Sequence, residues 1–252
     1  MVGAGNDFIV LEADKKINYK KLAPVMCERT NGIGADGLLI LDKSKQAEYK
    51  MRIINADGSE AEMCGNGARC LAAYIVRYKK PKGKFFTIET LAGEILAQAK
   101  DEIANVRLSN PRDYKSEIPI TLNDRQIHVH YIDTGVPHTI VYVDGLENIQ
   151  VNQIGPKIRF HEAFAPRGTN ANFVEQLKPD LVAVRTYERG VESETKACGT
   201  GSVASAIVSF RKANPEVQQQ KKAKMKVLTA SKEILEVTFD LDGSDISQVW
   251  LK

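Results

Sequence analysis

Two cysteines, Cys64 and Cys198, each stand directly before a Gly-x-Gly turn: M-C-G-N-G from Met63 and A-C-G-T-G from Ala197. Each turn runs into an apolar segment with helical spacing, GARCLAAYIVRY after the first and GSVASAIVSFRKA after the second. A thiol at a helix N-terminus lies beside unpaired backbone N–H groups and the positive end of the helix macrodipole. Both favour thiolate and are expected to lower the pKa of each cysteine. The glycines admit a ligand close to the backbone, and the same N–H groups can hold a carboxylate. One such thiol suggests a nucleophile. Two suggest acid–base work: a thiolate removes a proton from a carbon and a thiol delivers one to its opposite face, which inverts a stereocentre. Removing the α-proton of an amino acid needs help for the developing charge, and two helix N-termini aimed at the substrate carboxylate can supply it.

The two motifs belong to a longer repeat. With Cys64 laid on Cys198, SEAEMCGNGARCLA lies over SETKACGTGSVASA, matching Ser59 to Ser193, Glu60 to Glu194, Gly65 to Gly199, Gly67 to Gly201 and Ala72 to Ala206. A duplicated turn alone does not require the cysteine twice. The elements around the motifs follow the same rhythm. GAGNDFIVLEAD, LLILDKS and YKMRIINADGS read as strands, INYKKLAPVMCERTNGIGADG as a helix stopped by a Gly-rich loop, and FFTIETLAGEILAQAK with EIANVRLSN as a strand meander. PRDY from Pro111 breaks the pattern and marks the expected boundary, giving lobes over 1–112, carrying Cys64, and 113–252, carrying Cys198. In the second lobe RQIHVHYIDTG, PHTIVYVD, NANFVEQL and LVAVRTYERG read as strands, NQIGPKIRFHEAFAPRGT as a polar connector, and MKVLTA and EILEVTFDL as the closing strands.

Composition narrows the function. The 252 residues are 43% hydrophobic, enough for one large α/β domain or two small ones. A net charge of +3 is too mild to point to nucleic acid. The basic runs RYKKPKGK and KKAKMK read as solvated segments. Residues 1–12 lack the charged start and apolar run of an export signal, and no apolar stretch reaches membrane-spanning length. The four cysteines form no C-x-x-C pair and no zinc-spaced cluster. A cytoplasmic, reducing compartment is expected. P-loop, dinucleotide and metal motifs are absent, so the chemistry is expected to need neither cofactor nor metal.

The motifs together resemble the diaminopimelate epimerase family over nearly the whole chain. They are GAGNDF at Gly3, TNGIGADG at Thr30, NADGSEAEMCGNGAR at Asn55, IETLAG at Ile88, PHTIVYVD at Pro137, TNANFVE at Thr169 and YERGVESETKACGTG at Tyr187, in family order. Proline racemases resemble the chain more weakly. The resemblance implies an α/β (α+β) fold of two similar, pseudo-symmetric lobes, each a curved mixed β-sheet around a central helix, with the active site in the cleft between them. It implies inversion of one α-carbon of L,L-diaminopimelate to the meso form, for lysine and peptidoglycan precursors, in a cofactor-independent homodimer. Cys64 and Cys198 would be the acid–base pair. His138 and Glu188 would set the protonation of the thiols and help hold substrate. Asn6, Asn55, Asn170 and Arg189 match positions that bind the substrate's polar ends, and Gly65, Asn66, Gly199 and Thr200 would donate to the carboxylate at the reacting centre.

Read singly, several of these residues have plainer roles. Asn6 and Asn55 sit in Gly-rich turns that favour asparagine for backbone reasons, His138 begins a strand, and Glu188–Arg189 fits a surface ion pair. Cys27 and Cys70 lie among apolar residues as core thiols, and His128, His130 and His161 are assigned no role. The chain also departs from the family pattern. Gly37 and Val136 stand where the family usually has amides, so looser specificity is expected, with racemisation of a shorter amino acid such as glutamate as a second activity. Met1 lies two residues before Gly3 and the chain stops at Lys252, which suggests trimmed ends relative to the family. Two other classes compete: a cysteine hydrolase or acyltransferase with His138 as base, and a non-catalytic amino-acid binder using the helix starts as carboxylate clamps.

Overall fold

The computed structural model of the chain describes residues 1–100 and 103–252. Glu102, read as the first residue of the strand EIANVRLSN, lies outside them. The described chain divides into two compact units, Met1–Arg107 with Lys252, and Leu108–Leu251.

The first unit opens with β1 (Val2–Gly3) and β2 (Asn6–Glu12), turned through Ala4 and Gly5, both at positive φ. Next come α1 (Tyr19–Cys27), β3 (Gly37–Asp42), β4 (Tyr49–Asn55), β5 (Glu60–Ala61) and α2 (Gly65–Tyr78). The unit closes with β6 (Phe86–Thr90), β7 (Gly93–Lys100) and β8 (Ile103–Arg107). The Asn18 side chain caps α1 by accepting from the Lys21 N–H. Buried Tyr19, Ala23 and Cys27, spaced four apart, lay one face of α1 on Leu38, Ile40 and Ile54. The opposite face of β3 turns Leu39 towards the start of α2. Strand β3 is therefore buried on both sides, which is why LLIL reads as a continuous apolar run. It runs parallel to β2 and antiparallel to β4, which pairs in parallel with β6.

The second unit begins with β9 (Arg112–Leu122) and β10 (Arg125–Asp133), joined through Asn123 and Asp124 at positive φ. It continues with β11 (Pro137–Tyr142), α3 (Val151–Arg159), β12 (Asn170–Lys178), β13 (Leu181–Glu188), β14 (Ser193–Thr195) and α4 (Gly199–Ala213). The last strands are β15 (Gln219–Leu228), β16 (Ile234–Asp242) and β17 (Asp245–Leu251). From β10 onwards the order and pairing of the first unit return. Strands β11 and β12 are parallel, β12 and β13 antiparallel, and β13 and β15 parallel. In each unit one helix, α2 or α4, is packed against strands along most of its length. Helix α4 is buried nearly all round, which its Gly, Ala and Ser positions allow. No helix of the described residues is long and apolar enough to cross a membrane.

Three elements differ from the sequence reading. The expected polar connector contains α3, despite Gly155 and Pro156. Val151, Gly155 and Ile158 line its buried face, and a Cβ on Gly155 would lie 2.5 Å from Tyr187 Cβ, so glycine is what permits the packing. Strand β9 runs through Pro119, tolerated because β9 pairs on one side only, with β10, among the described residues. Strand β17 was hidden because Gln248, at positive φ, sits where the pairing with β16 is irregular and breaks the alternation of buried residues.

Candidate active site

In the first unit Cys64 is the N-cap of α2. Its backbone is extended and its Sγ accepts from the Gly67 N–H at 3.4 Å. Gly67 leaves little space behind it, since a Cβ there would lie 2.9 Å from Leu39 Cδ2 and 3.6 Å from both Phe8 Cζ and Cys64 Cβ. Next to the thiol, Gly65 and Asn66 are buried in the first turn. Asn66 Nδ2 donates to Asn6 Oδ1 at 2.7 Å, and Arg69 donates to Asn66 Oδ1 at 2.8 Å. Asn6 Nδ2 in turn donates to Asp36 Oδ2 at 2.9 Å, and Arg29 bridges Asp36 and Asp7. The Arg29 guanidinium holds the Asp7 carboxyl down at about 2. Asn6 and Asn66 are thus oriented by one network. Asn55 ends β4 opposite Gly37, and its Nδ2 donates to Ser59 Oγ at 2.9 Å.

In the second unit Cys198 is the N-cap of α4, 8% exposed. The helix start was expected to lower its pKa. Burial instead pushes the thiol well above its ordinary value, and the Glu188 charge adds to the rise, against hydrogen bonds from Thr200 and the Gly201 N–H. Desolvation outweighs these hydrogen bonds, so Cys198 rests as a thiol. Burial also raises the Glu188 carboxyl, which accepts from Thr195 Oγ1 at 2.5 Å and interacts with Cys198. Thr200, in the first turn after buried Gly199, places Oγ1 3.5 Å from Cys198 Sγ and 3.0 Å from His138 Nε2. His138 is wholly buried, and desolvation lowers its pKa to about 3, so the ring is neutral.

Asn170 serves as a brace in this structure. Its Nδ2 donates to the Pro137 carbonyl at 2.8 Å and its Oδ1 accepts from the Arg189 N–H at 2.8 Å, tying the start of β11 to the end of β13. The Arg189 guanidinium donates to the Arg167 carbonyl at 3.2 Å. Asn6 and Asn66 thus gather with Cys64 at the N-terminus of α2, and His138, Glu188 and Thr200 with Cys198 at that of α4, while Asn55 bonds to Ser59. Sequence reasoning passed over Asn172 and Thr186, both buried, which bond to each other and lie behind His138. The signal was present in N-A-N of β12: residues two apart on a strand share a face, so Asn172 follows Asn170 inward. Among the residues assigned no role, His130 is buried beside Glu117 at 3.3 Å, and His161 accepts from the Ala163 N–H.

The family model described as diaminopimelate epimerase matches residues 1–111 and 130–247. A diaminopimelate epimerase of Aquifex aeolicus is 38% identical over 99% of this chain and 91% of its own length. One from Caldanaerobacter subterraneus subsp. tengcongensis is 42% identical over 83% of this chain and 82% of its own. The crystal structure of a Bacillus anthracis phenazine biosynthesis protein of the PhzF family shares the fold, with a TM-score of 0.72 over 100% of this chain and 91% of that one at 17% identity. On the strength of the matching model and these relatives, the chain belongs to the diaminopimelate epimerase family.

Proposed function

We propose that this protein is an isomerase that inverts one α-carbon of L,L-2,6-diaminopimelate to the meso form, with two cysteines and no cofactor. The observation that carries the reading is that the same helix N-cap holds a cysteine in both copies of a duplicated fold. Inversion needs a base on one face of the carbon and an acid on the other, and the duplication supplies one of each. Cys198, resting as a thiol, delivers the proton, and Cys64 removes one; in the reverse direction the roles exchange. Glu188 accepts a hydrogen bond from the resting Cys198 thiol; turnover leaves Cys198 a thiolate and Cys64 a thiol, and exchange with solvent resets them, Cys64 losing its proton and Cys198 taking one. His138, held neutral, acts on Cys198 through Thr200. The first-turn N–H groups and side chains at Gly65, Asn66, Gly199 and Thr200 receive the carboxylate at the reacting centre. Asn6, Asn55, Asn170 and Arg189 hold the remaining polar groups. The homodimer and the cytoplasmic setting implied by the resemblance belong to the same reading, and sedimentation velocity tests the dimer.

A second activity on shorter amino acids draws on Gly37. A Cβ at this position would lie 2.7 Å from the Ile54 carbonyl oxygen, so the backbone has closed over the place of the expected amide side chain. With Val136 apolar as well, the substrate end remote from the reacting carbon meets fewer donors. The experiment is α-proton exchange in D2O, followed by proton NMR, with diaminopimelate, glutamate and other amino acids. The reading expects fast exchange with diaminopimelate and slower exchange with glutamate. Exchange with diaminopimelate alone removes the second activity, and binding without any exchange leaves only an amino-acid binder.

A further inference from the structure

The Thr139 carbonyl oxygen can only accept, and the Asn172 side chain places its Nδ2 3.0 Å from it, so the amide end turned this way is the NH2. The same nitrogen lies 3.1 Å from His138 Nδ1 and must donate there as well. His138 Nδ1 therefore carries a lone pair, and the single proton of the neutral ring is on Nε2. Nε2 donates to Thr200 Oγ1 at 3.0 Å. The one hydroxyl hydrogen of Thr200 is then directed away from the ring, where Cys198 Sγ lies at 3.5 Å. At the other end Thr186 Oγ1 donates to Asn172 Oδ1 at 3.0 Å, fixing the amide a second time. From Thr186 to Thr200 each bond of the series runs towards the sulfur, and the second hydrogen of the Asn172 amide goes to the Thr139 carbonyl.

The first unit shows that the fold does not need this series. In the ladder of β2 with β3, Phe8 lies opposite Gly37; in the ladder of β11 with β12, His138 lies opposite Asn170. Two residues further, Leu39 pairs with Ile53 and Asn172 pairs with Thr186. The counterparts of His138, Asn172 and Thr186 are thus Phe8, Leu39 and Ile53, all buried and apolar. Three polar side chains in such positions lower stability unless each is satisfied. The glycine of each motif fits the same contrast. A Cβ on Gly201 would lie 2.5 Å from Asn172 Oδ1, whereas a Cβ on Gly67 meets Leu39.

We propose that Asn172 and Thr186 are positioning residues that lock His138 as its Nε2–H tautomer and so aim the Thr200 hydroxyl hydrogen at Cys198 Sγ, favouring the thiolate whenever that sulfur is the proton acceptor. The consequence for turnover rests on the epimerase reading; the tautomer does not. The test uses the full chain labelled with 15N-histidine. Long-range proton–nitrogen correlation should show His138 as a single Nε2–H tautomer between pH 6 and 9. Asn172→Asp offers the ring only acceptors, so His138 should change to Nδ1–H or imidazolium. With diaminopimelate, kcat should fall roughly 100-fold, as expected when a site imidazole is held in the wrong tautomer, with KM little changed. The kcat–pH limb belonging to Cys198 should move to higher pH. Thr186→Val, which keeps the shape, should lower kcat only a few-fold. A wild-type Nδ1–H tautomer, or a tautomer mixture, overturns the proposal whether or not either variant folds. So do unchanged kcat and pH profile in Asn172→Asp. If the wild type shows no exchange with any amino acid, the epimerase reading fails while the tautomer spectrum still judges the series itself.

Discussion

Cys64 and Cys198 occupy the same position in two copies of one fold, yet their surroundings have opposite character. Behind Cys64 stand Phe8 and Leu39, and its sulfur accepts from the Gly67 N–H. Behind Cys198 stand His138 and Asn172, and its sulfur lies between the Glu188 carboxylate and the Thr200 hydroxyl. The helix N-terminus is common to both, so it cannot be what distinguishes them. Burial and one carboxylate decide the resting protonation of Cys198 against the hydrogen bonds from Thr200 and the Gly201 N–H. The duplicated strands preserve shape and pairing, while the polarity of equivalent positions has diverged. Elsewhere the copies stay alike: Arg52 pairs with Glu60 as Arg185 pairs with Glu194, each with Nε to Oε1 at 2.7 Å.

The largest expected effect breaks the pair. Cys64→Ala and Cys198→Ala should each reduce inversion by about 10⁴-fold or more, since each removes one of two required proton carriers. Conversion of the L,L to the meso isomer, followed by NMR, reads this, and survival of either variant would favour a single-nucleophile enzyme. Glu188→Gln should lower kcat by about 100-fold. It should also lower the pKa of Cys198, because it removes the charge that raises it. Peptide-resolved alkylation across pH should show the change at Cys198 and none at Cys64.

A third comparison sets the two motif glycines against each other. Gly201→Ala drives a Cβ into the Asn172 amide and should cost about 3 kcal/mol, with loss of activity. Gly67→Ala meets the movable end of Leu39 and should cost about 1 kcal/mol in urea unfolding. The last comparison concerns acid. His138 has a folded pKa of about 3 against an ordinary 6.5. Between those values the unfolded chain binds a proton that the folded chain refuses, so this group's contribution falls as pH drops, by about 1.4 kcal/mol per pH unit. His138→Phe, which gives this position the phenylalanine of its counterpart, should flatten the slope of unfolding free energy against pH between 6.5 and 3, while abolishing turnover.

Most of the fold was legible because its strands and its two central helices keep clean periodicity. The exceptions share a cause: a residue with a strong local bias was overruled by packing. Gly155 and Pro156 read as helix breakers, but the face of Val151, Gly155 and Ile158 fits against β12 and β13. Carried through consistently, the repeat would have found α3 as the partner of α1, which also contains a proline, Pro24. The cysteine caps were visible because C-G-x-G is a local motif. The Cys198 thiol's resting state was not, since its burial and the nearby Glu188 charge are properties of the folded unit. Asn172 and Thr186 were missed for the same reason: a polar residue in a strand reads as solvent-facing until its partners are known.

The central claim is that two different thiols handle the proton on its way off and onto one carbon. The most direct measurement starts L,L-diaminopimelate in D2O with the wild-type protein and compares deuterium in product and in unreacted substrate at low conversion. The account predicts a full deuterium atom at the inverted carbon of the meso product and almost none in recovered substrate, because the removed proton stays on one sulfur while the other delivers solvent deuterium. Equal labelling of both pools would mean that one base serves both faces, and it would contradict the account.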